Sequence, residues 1–167
     1  MNTQPQIRQA SENDSEAIVD IYNWYIENTY YTFEEESLTA EYMREQMAGA
    51  DALAPWFVLE EDGEISGFCY AGIWKSRAAY KYSRETTVYL RHDRIGGGRG
   101  YRLMEHLVNE LRATPIHLLI AGIALPNDAS IAVHEKLGFS NLGTFNEVGS
   151  KFGKFIDVAY LQLVLTD

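Results

Sequence analysis

Apolar positions along this chain follow two periods, and the switches between them predict the elements. Ala17, Ile18, Ile21, Tyr22, Tyr25 and Ile26 recur at helical spacing. Asn13 followed by Glu16 has the form of a capping box, so a first helix is expected to open there, after a short strand over residues 6–9. A second helix is expected over about residues 39–47, with Tyr42, Met43 and Met47 inward. Residues 56–60 and 65–73 read as strands joined by Glu61-Asp62-Gly63-Glu64, a hairpin signal. A polar, basic connection over 75–81 leads to a strand over 84–90. Leu103, Met104, Leu107, Val108 and Leu111 form the apolar stripe of a third helix. A buried strand is expected over 117–125. Pro126-Asn127-Asp128 then opens a short helix ending at Leu137, with Gly138 just past its end. Two strands, near 142–148 and 155–164, close the chain. The second alternates Ile156, Val158 and Tyr160 against Asp157, Ala159 and Leu161. The order β-α-α-β-β-β-α-β-α-β-β predicts an α/β protein of the α+β kind, a mixed sheet with helices on both faces.

One junction carries chemistry. Between the fourth strand and the third helix lies Arg94-Ile95-Gly96-Gly97-Gly98-Arg99-Gly100-Tyr101. A strand, a glycine-rich turn and a helix N-terminus make an anion site, because backbone N–H groups can approach a phosphate there and the helix dipole favours negative charge. A P-loop would end in Gly-Lys-Ser/Thr; this chain has Gly100-Tyr101-Arg102. A dinucleotide fingerprint started at Gly96 or Gly98 would place its third glycine on Tyr101 or Leu103. The pyrophosphate loop of acyl-CoA enzymes remains, beside the plainer reading of a turn before an ordinary helix.

Length and composition narrow the classes. A chain of 167 residues is expected to form one domain over 1–167. Its net charge of −10 argues against nonspecific binding to nucleic acid or to an anionic membrane. The lone Cys69 sits in the apolar run Gly67-Phe68-Cys69-Tyr70 and reads as a buried thiol. His92, His106 and His117 show no metal spacing, so no metal is expected. The opening MNTQPQIRQ lacks the apolar core of a signal peptide, and no run reaches transmembrane length, so a cytoplasmic location is expected.

The element order, with a glycine loop after the fourth strand, resembles the GNAT superfamily of N-acetyltransferases. WKSRAAY (74–80), ETTVYL (85–90), IALPNDASIAVHEKLGF (123–139) and GSKFGKFIDVAYLQL (149–163) are similar to the phosphinothricin N-acetyltransferase group. The resemblance implies acetyl-CoA as co-substrate, held in a splay between the fourth and fifth strands. Pantetheine amides would pair with Val88, Tyr89 and Leu90, and pyrophosphate would sit on Gly96, Gly97, Gly98, Arg99, Gly100 and Tyr101. Asn127 and Ser130, at the start of the fourth helix, would face the cofactor; Asn127 also suits a helix N-cap. The family loop is written [QR]-x-x-G-x-[GA]. Aligned on Gly98 and Gly100, it puts Ile95 where Gln or Arg is usual, which removes a side-chain contact and leaves the backbone donors.

Acetyl transfer needs a neutral amine, so a base must take a proton, directly or through water. The resemblance implies Glu85, at the start of the fourth strand, for this role; without it, Glu85 reads as a strand-end carboxylate. Backbone N–H near Tyr89 could stabilise the tetrahedral oxyanion. His134 stands where many relatives carry a tyrosine that protonates the departing thiolate. It reads either as that acid or as a residue that packs and binds CoA. Lys75, Arg77, Lys81 and Arg84 form a basic cluster in an acidic chain, suited to gripping a carboxylate or to pairing with nearby acids. The resemblance implies Lys75, Ser76, Arg77 and Tyr80 beside the acceptor, Thr86, Thr87 and Tyr89 opposite, and Phe33 as an aromatic wall. The expected reaction is acetylation of the α-amine of a small amino acid or analogue such as phosphinothricin, methionine sulfone or methionine sulfoximine. The expected partners are that small molecule and a second copy of the chain in a homodimer. Competing readings are acetylation of peptide or protein amines, and a CoA-binding sensor without turnover.

Overall fold

The computed structural model describes residues 4–50, 53 and 55–166. The chain runs β1 (Gln6–Gln9), α1 (Ser15–Asn28), α2 (Ala40–Ala48), β2 (Phe57–Glu61), β3 (Glu64–Ile73), β4 (Ser83–Leu90), α3 (Arg99–Arg112), β5 (Leu118–Ala124), α4 (Asp128–Lys136), β6 (Ser140–Lys151) and β7 (Lys154–Val164). Single turns of 3-10 helix at Glu12–Asp14, Ala78–Tyr80 and His92–Arg94 are added to the expected order.

Local chemistry explains most boundaries. The capping box is Ser11 and Asp14 rather than Asn13 and Glu16: the Ser11 N–H donates to Asp14 Oδ2 at 2.7 Å. Arg8 fixes that carboxylate with two 2.9 Å bonds and holds it below the usual carboxylate range, so a short turn forms ahead of α1. Thr39 caps α2 by accepting from the Tyr42 N–H at 3.1 Å. Met43 is buried there, but Tyr42 is 42% exposed, against the expectation that it points inward. Asp62 and Gly63 both take positive φ, 54° and 81°, as a two-residue hairpin turn requires. β6 runs from Ser140 to Lys151, longer than expected at both ends, and Glu147 at φ 58° with the register shift between Phe145 and Gly149 lets the strand resume after a kink.

Seven strands form one sheet in the order β1-β2-β3-β4-β5-β7-β6. Both faces are covered. Ile18, Ile21 and Tyr25 of α1 and Met43 of α2 pack with Trp56, Val58 and Phe68 on one face. The α3 stripe Leu103, Met104, Leu107, Val108 and Leu111 packs with Phe57, Leu59, Cys69 and Ala71 on the other. The two layers meet different sides of the same strands, as alternation demands.

The central pair is the only parallel one in this sheet, and it is short: β4 pairs with β5 at Ser83↔Leu118, Arg84↔Leu119 and Glu85↔Ile120, then stops. Past that point β4 stays with β3 to Leu90↔Gly67, while β5 stays with β7 to Ala124↔Val158. Each strand keeps its antiparallel partner, so the two halves of the sheet diverge. At the fork, the Thr86 hydroxyl donates to the Ile120 carbonyl at 3.3 Å, continuing the joint by one side chain.

Gly67 sets how closely α3 approaches this fork. A methyl group there would lie 2.6 Å from Leu90 Cδ2, 3.0 Å from Leu103 Cδ1 and 3.0 Å from the Tyr89 carbonyl oxygen. Gly67→Ala is expected to destabilise the fold by about 1–3 kcal/mol through overpacking. Urea unfolding measures this, with the shift appearing in the midpoint and not the slope.

Candidate active site

The fork opens into a cleft of about 510 Å³. Its walls carry Glu85, Thr86, Thr87, Val88, Tyr89 and Leu90 from β4 and Gly96, Gly98, Arg99, Gly100 and Tyr101 from the loop and α3. Asn127 and Ser130 line it from the start of α4, and His134 from its last turn. Residues far apart in the chain therefore meet on one surface, as expected from the sequence. Gly97 belongs to the same loop without lining the cleft.

The loop has the geometry of an anion cradle. Gly96, Gly97 and Gly98 take φ of 93°, 62° and 72° in succession, a path that side-chain-bearing residues resist. Among the described residues, no group accepts a hydrogen bond from the N–H of Gly97, Gly98, Gly100 or Tyr101. Those donors sit at the N-terminal end of a 14-residue helix, where the dipole adds positive potential. A Cβ on Gly98 would meet nothing within 4 Å, so φ and the approach of a ligand, not packing, hold glycine there.

Glu85 lies at the last position where β4 pairs with β5, half-buried at the mouth of the fork. No described side chain donates a hydrogen bond to it, and burial pushes its carboxyl above the ordinary carboxylate range. The open space in front of it comes from Gly122 of β5. A methyl group on Gly122 would lie 3.3 Å from Glu85 Oε1 and 3.2 Å from Tyr160 Cε1, so carboxylate and phenol ring face each other across that gap. Tyr160 stacks edge-on with Trp74 at 5.8 Å and with Phe145 at 5.5 Å.

Lys75, Ser76, Arg77 and Tyr80 form a separate polar hollow. Lys75 Nζ stands 5.5 Å from both the Trp74 and Tyr80 rings, and Trp74 in turn meets Tyr160, which borders Gly122 together with Glu85. Arg84 does not join this basic cluster. It is 4% exposed, and its guanidinium donates to the Lys81 carbonyl at 2.7 Å and to the Ser83 carbonyl at 3.2 Å. Phe33 lies outside the cleft wall and rests its ring on Gly149. Lys151, 2% exposed, secures the same segment by donating to the Thr32 carbonyl at 2.8 Å. Thr86 is committed to the fork, while Thr87 lies on the opposite face of β4 beside Glu85 and Tyr89.

His134 is 3% exposed, and its Nδ1 lies 2.7 Å from the Ser130 carbonyl. A carbonyl oxygen only accepts, so Nδ1 carries the proton and the neutral ring presents an unprotonated Nε2. Burial pushes its pKa below the usual imidazole range. Asn127 caps α4, its Oδ1 accepting from the Ser130 N–H at 3.3 Å. Two of the other three histidines make ring contacts: His92 stacks on Trp24 at 4.5 Å, and the Phe57 ring meets His106 edge-on at 4.6 Å; His117 is exposed. Among the described residues, no group of three or more His, Cys, Asp or Glu is placed to hold a metal.

Sequence reasoning missed Gly122, Tyr160 and Trp74. A glycine inside the apolar run LLIAGIA was the available signal for Gly122. Tyr160 alternates in register with the buried Ile156 and Val158 but is only half-buried, because its β5 partner Gly122 lies at the open fork.

Comparison with known proteins gives the family. The model of the acetyltransferase (GNAT) domain matches residues 7–160. Phosphinothricin N-acetyltransferase of Streptomyces viridochromogenes is 37% identical over 157 residues, covering 94% of this chain and 86% of that one. The L-methionine sulfoximine/L-methionine sulfone acetyltransferase of Salmonella typhimurium is 34% identical, covering 96% and 95%. Among solved structures, yncA of Salmonella typhimurium, determined with its cofactor acetyl-CoA, superposes with a TM-score of 0.95 at 31% identity, over 99% and 96% of the two chains. A ribosomal-protein-alanine N-acetyltransferase from Brucella melitensis gives 0.92 at 34% identity, over 95% and 99%. The chain belongs to the GNAT acetyltransferases, and it is an enzyme of N-acetyl transfer.

Gly98→Val is expected to weaken acetyl-CoA binding far more than folding. A β-branched side chain disfavours φ of 72° and stands where pyrophosphate would approach. Calorimetric titration should show wild type preferring acetyl-CoA to an acetyl-pantetheine thioester without pyrophosphate, and the variant nearly losing that preference. Equal wild-type affinity for both ligands would reduce the glycine run to a turn.

Proposed function

We propose that this chain, as a single domain over 1–167, transfers acetyl from acetyl-CoA directly to the α-amine of a small amino acid with a polar, tetrahedral side-chain head. Phosphinothricin, methionine sulfone and methionine sulfoximine are the acceptor types. The observation that carries the reading is Glu85: a half-buried carboxylate with no described side-chain donor, raised basicity and open space before it, at the point where β4 parts from β5. A base with a raised pKa removes the ammonium proton more readily than an ordinary carboxylate. The freed amine then attacks the thioester carbonyl. A backbone N–H of the unpaired part of β4, near Tyr89, receives the developing oxyanion. The open edge at Val88, Tyr89 and Leu90 takes the pantetheine amides, and the N–H groups at Gly97, Gly98, Gly100 and Tyr101 take the pyrophosphate. Asn127 and Ser130 border the cofactor on the α4 side.

His134 is proposed as a binding residue rather than an acid. Its Nδ1 proton is committed to Ser130, and burial disfavours the imidazolium that acid catalysis through Nε2 would need. A thiolate leaving group needs little help, since thiols ionise near pH 8.5. Lys75, Ser76, Arg77 and Tyr80 receive the acceptor carboxylate, with Thr87 opposite and Phe33 closing one side. The reading carries a cytoplasmic location, where acetyl-CoA is available, and a homodimer. β6 lies at the sheet edge with Leu142, Phe145 and Val148 exposed, and a second copy would cover them.

A second reading is acetylation of protein N-termini, favoured by the likeness to the Brucella melitensis structure. Thiol release from acetyl-CoA, measured over free amino acids, their sulfone and phosphinate analogues and alanine-ended peptides, separates the two. The small-molecule reading requires higher kcat/KM on the analogues. Preference for the peptides would replace it, and no turnover on any acceptor would leave a CoA-binding module.

Glu85→Gln is expected to lower kcat by about 10²–10⁴-fold, with partial recovery as rising pH deprotonates the amine unaided. The same change should raise thermal stability at pH 8 and leave it unchanged near pH 4. The folded-state pKa is raised, so ionising Glu85 costs the folded state. That cost is absent below the unfolded pKa of about 4.3 and complete above the folded pKa. A variant with wild-type kcat from pH 6 to 9 would remove Glu85 from the mechanism.

Arg77→Ala is expected to raise KM for the acceptor, by about 1.5–3 kcal/mol in kcat/KM, with little effect on acetyl-CoA. The amide of the same acceptor is the control: wild type that treats acid and amide alike would show that no residue here reads the carboxylate.

A further inference from the structure

An arginine inside a phosphate loop invites the reading that its guanidinium grips the phosphate. Arg99 is engaged elsewhere. Its Nε donates to Glu61 Oε2 at 2.7 Å, and its Nη1 donates to the Gly96 carbonyl at 3.2 Å. Its backbone N–H donates to the same carbonyl at 3.3 Å. Glu61, the last residue of β2, is 6% exposed beneath the loop. A carboxylate buried there needs compensation. Arg99 bonds to it, and Arg102 Nη2 lies 3.7 Å from Oε1.

This arrangement acts on one peptide group. The Gly96–Gly97 peptide has glycine on both sides, so steric repulsion does little to fix its orientation. Rotated one way, it offers the Gly97 N–H to an anion; rotated the other way, it turns the Gly96 carbonyl oxygen into the cradle and repels one. Two donors from Arg99 hold that carbonyl on the far side. The guanidinium crosses Gly97 so closely that a Cβ at that position would lie 2.7 Å from Arg99 Nη1.

We propose that Glu61 and Arg99 are positioning residues that lock the Gly96–Gly97 peptide with its N–H facing the pyrophosphate of acetyl-CoA, and that Arg99 works through the Gly96 carbonyl instead of as a phosphate ligand. The proposal rests on the acetyl-CoA reading of the cleft. It assigns a function to a residue of β2, which lies outside the glycine loop and contributes nothing to the cleft wall.

A double-mutant cycle read by calorimetry tests it, with acetyl-CoA and acetyl-pantetheine as ligands. Arg99→Met is expected to weaken acetyl-CoA about tenfold or more, to leave acetyl-pantetheine unchanged, and to leave kcat at saturating acetyl-CoA within about twofold. Glu61→Gln should weaken acetyl-CoA in the same direction, and the double variant should bind no worse than Arg99→Met, because both remove one device. Arg99→Lys should fail to rescue, since an ammonium cannot bridge Glu61 and the Gly96 carbonyl as the planar guanidinium does. The opposite pattern overturns the proposal. A direct phosphate ligand would lose as much affinity in the Glu61→Gln background as in wild type, would be largely replaced by lysine, and would bind tighter when Glu61→Gln released it. Wild type that binds both ligands equally would overturn the acetyl-CoA reading, and this proposal with it. Wild type that prefers acetyl-CoA while the two substitutions act additively would overturn this proposal alone.

Discussion

Everything functional in this structure depends on a ladder that stops early. β4 and β5 share three paired positions and then separate, because past that point each remains bound to an antiparallel neighbour that leads it away. Antiparallel pairing is slightly the more stable per residue, and the two flanking ladders outnumber the central one. The result is a polar strand edge inside a folded sheet. Such edges normally attract pairing partners; here the surrounding walls restrict access to whatever enters the cleft. A ligand with amide groups and a long thin arm suits that opening.

The fork also determines what Glu85 can do. One residue earlier along β4, a carboxylate would be closed in by the paired strand; further along, it would lie where the pantetheine arm is proposed to run. At position 85 it is buried enough for its basicity to rise and open enough to meet a substrate. Gly122 on β5 leaves room between Glu85 and Tyr160, and Trp74 packs between Tyr160 and Lys75 of the separate basic hollow. Charge is therefore distributed against the average. An acidic chain with a net charge of −10 keeps basic side chains at Lys75 and Arg77 and unpaired N–H donors in the glycine loop. Those are the two places where the proposed substrates carry negative charge.

Much of this was legible in the sequence. The order of elements, the α3 stripe and the glycine run are local patterns, and local patterns survive folding. The family likeness added the gathering of β4, the loop and α4 around one cleft. Other features were not legible, for identifiable reasons. The capping box moved from Asn13 to Ser11 because Arg8, on another element, fixes Asp14. Arg84 looked like part of a basic cluster, but strand alternation turns it inward, away from Lys75 and Arg77. Tyr42 kept helical spacing yet lies at the rim of the α2 contact, where burial ends. Arg99 sat in the right motif with its side chain directed to Glu61, 38 residues earlier in the chain. For Arg99 the deciding partner is distant in sequence, so no local window contains it.

Backbone amide hydrogen exchange with and without acetyl-CoA tests the central claim most directly. Acetyl-CoA should slow exchange in two segments, the part of residues 86–90 not already paired to β3 and the N–H groups of Gly97, Gly98, Gly100 and Tyr101, and should leave the β6 edge unaffected. Acetyl-CoA that binds while those two segments exchange at their free rate would contradict the account, because the open edge of β4 and the glycine loop would then not be where the cofactor is held.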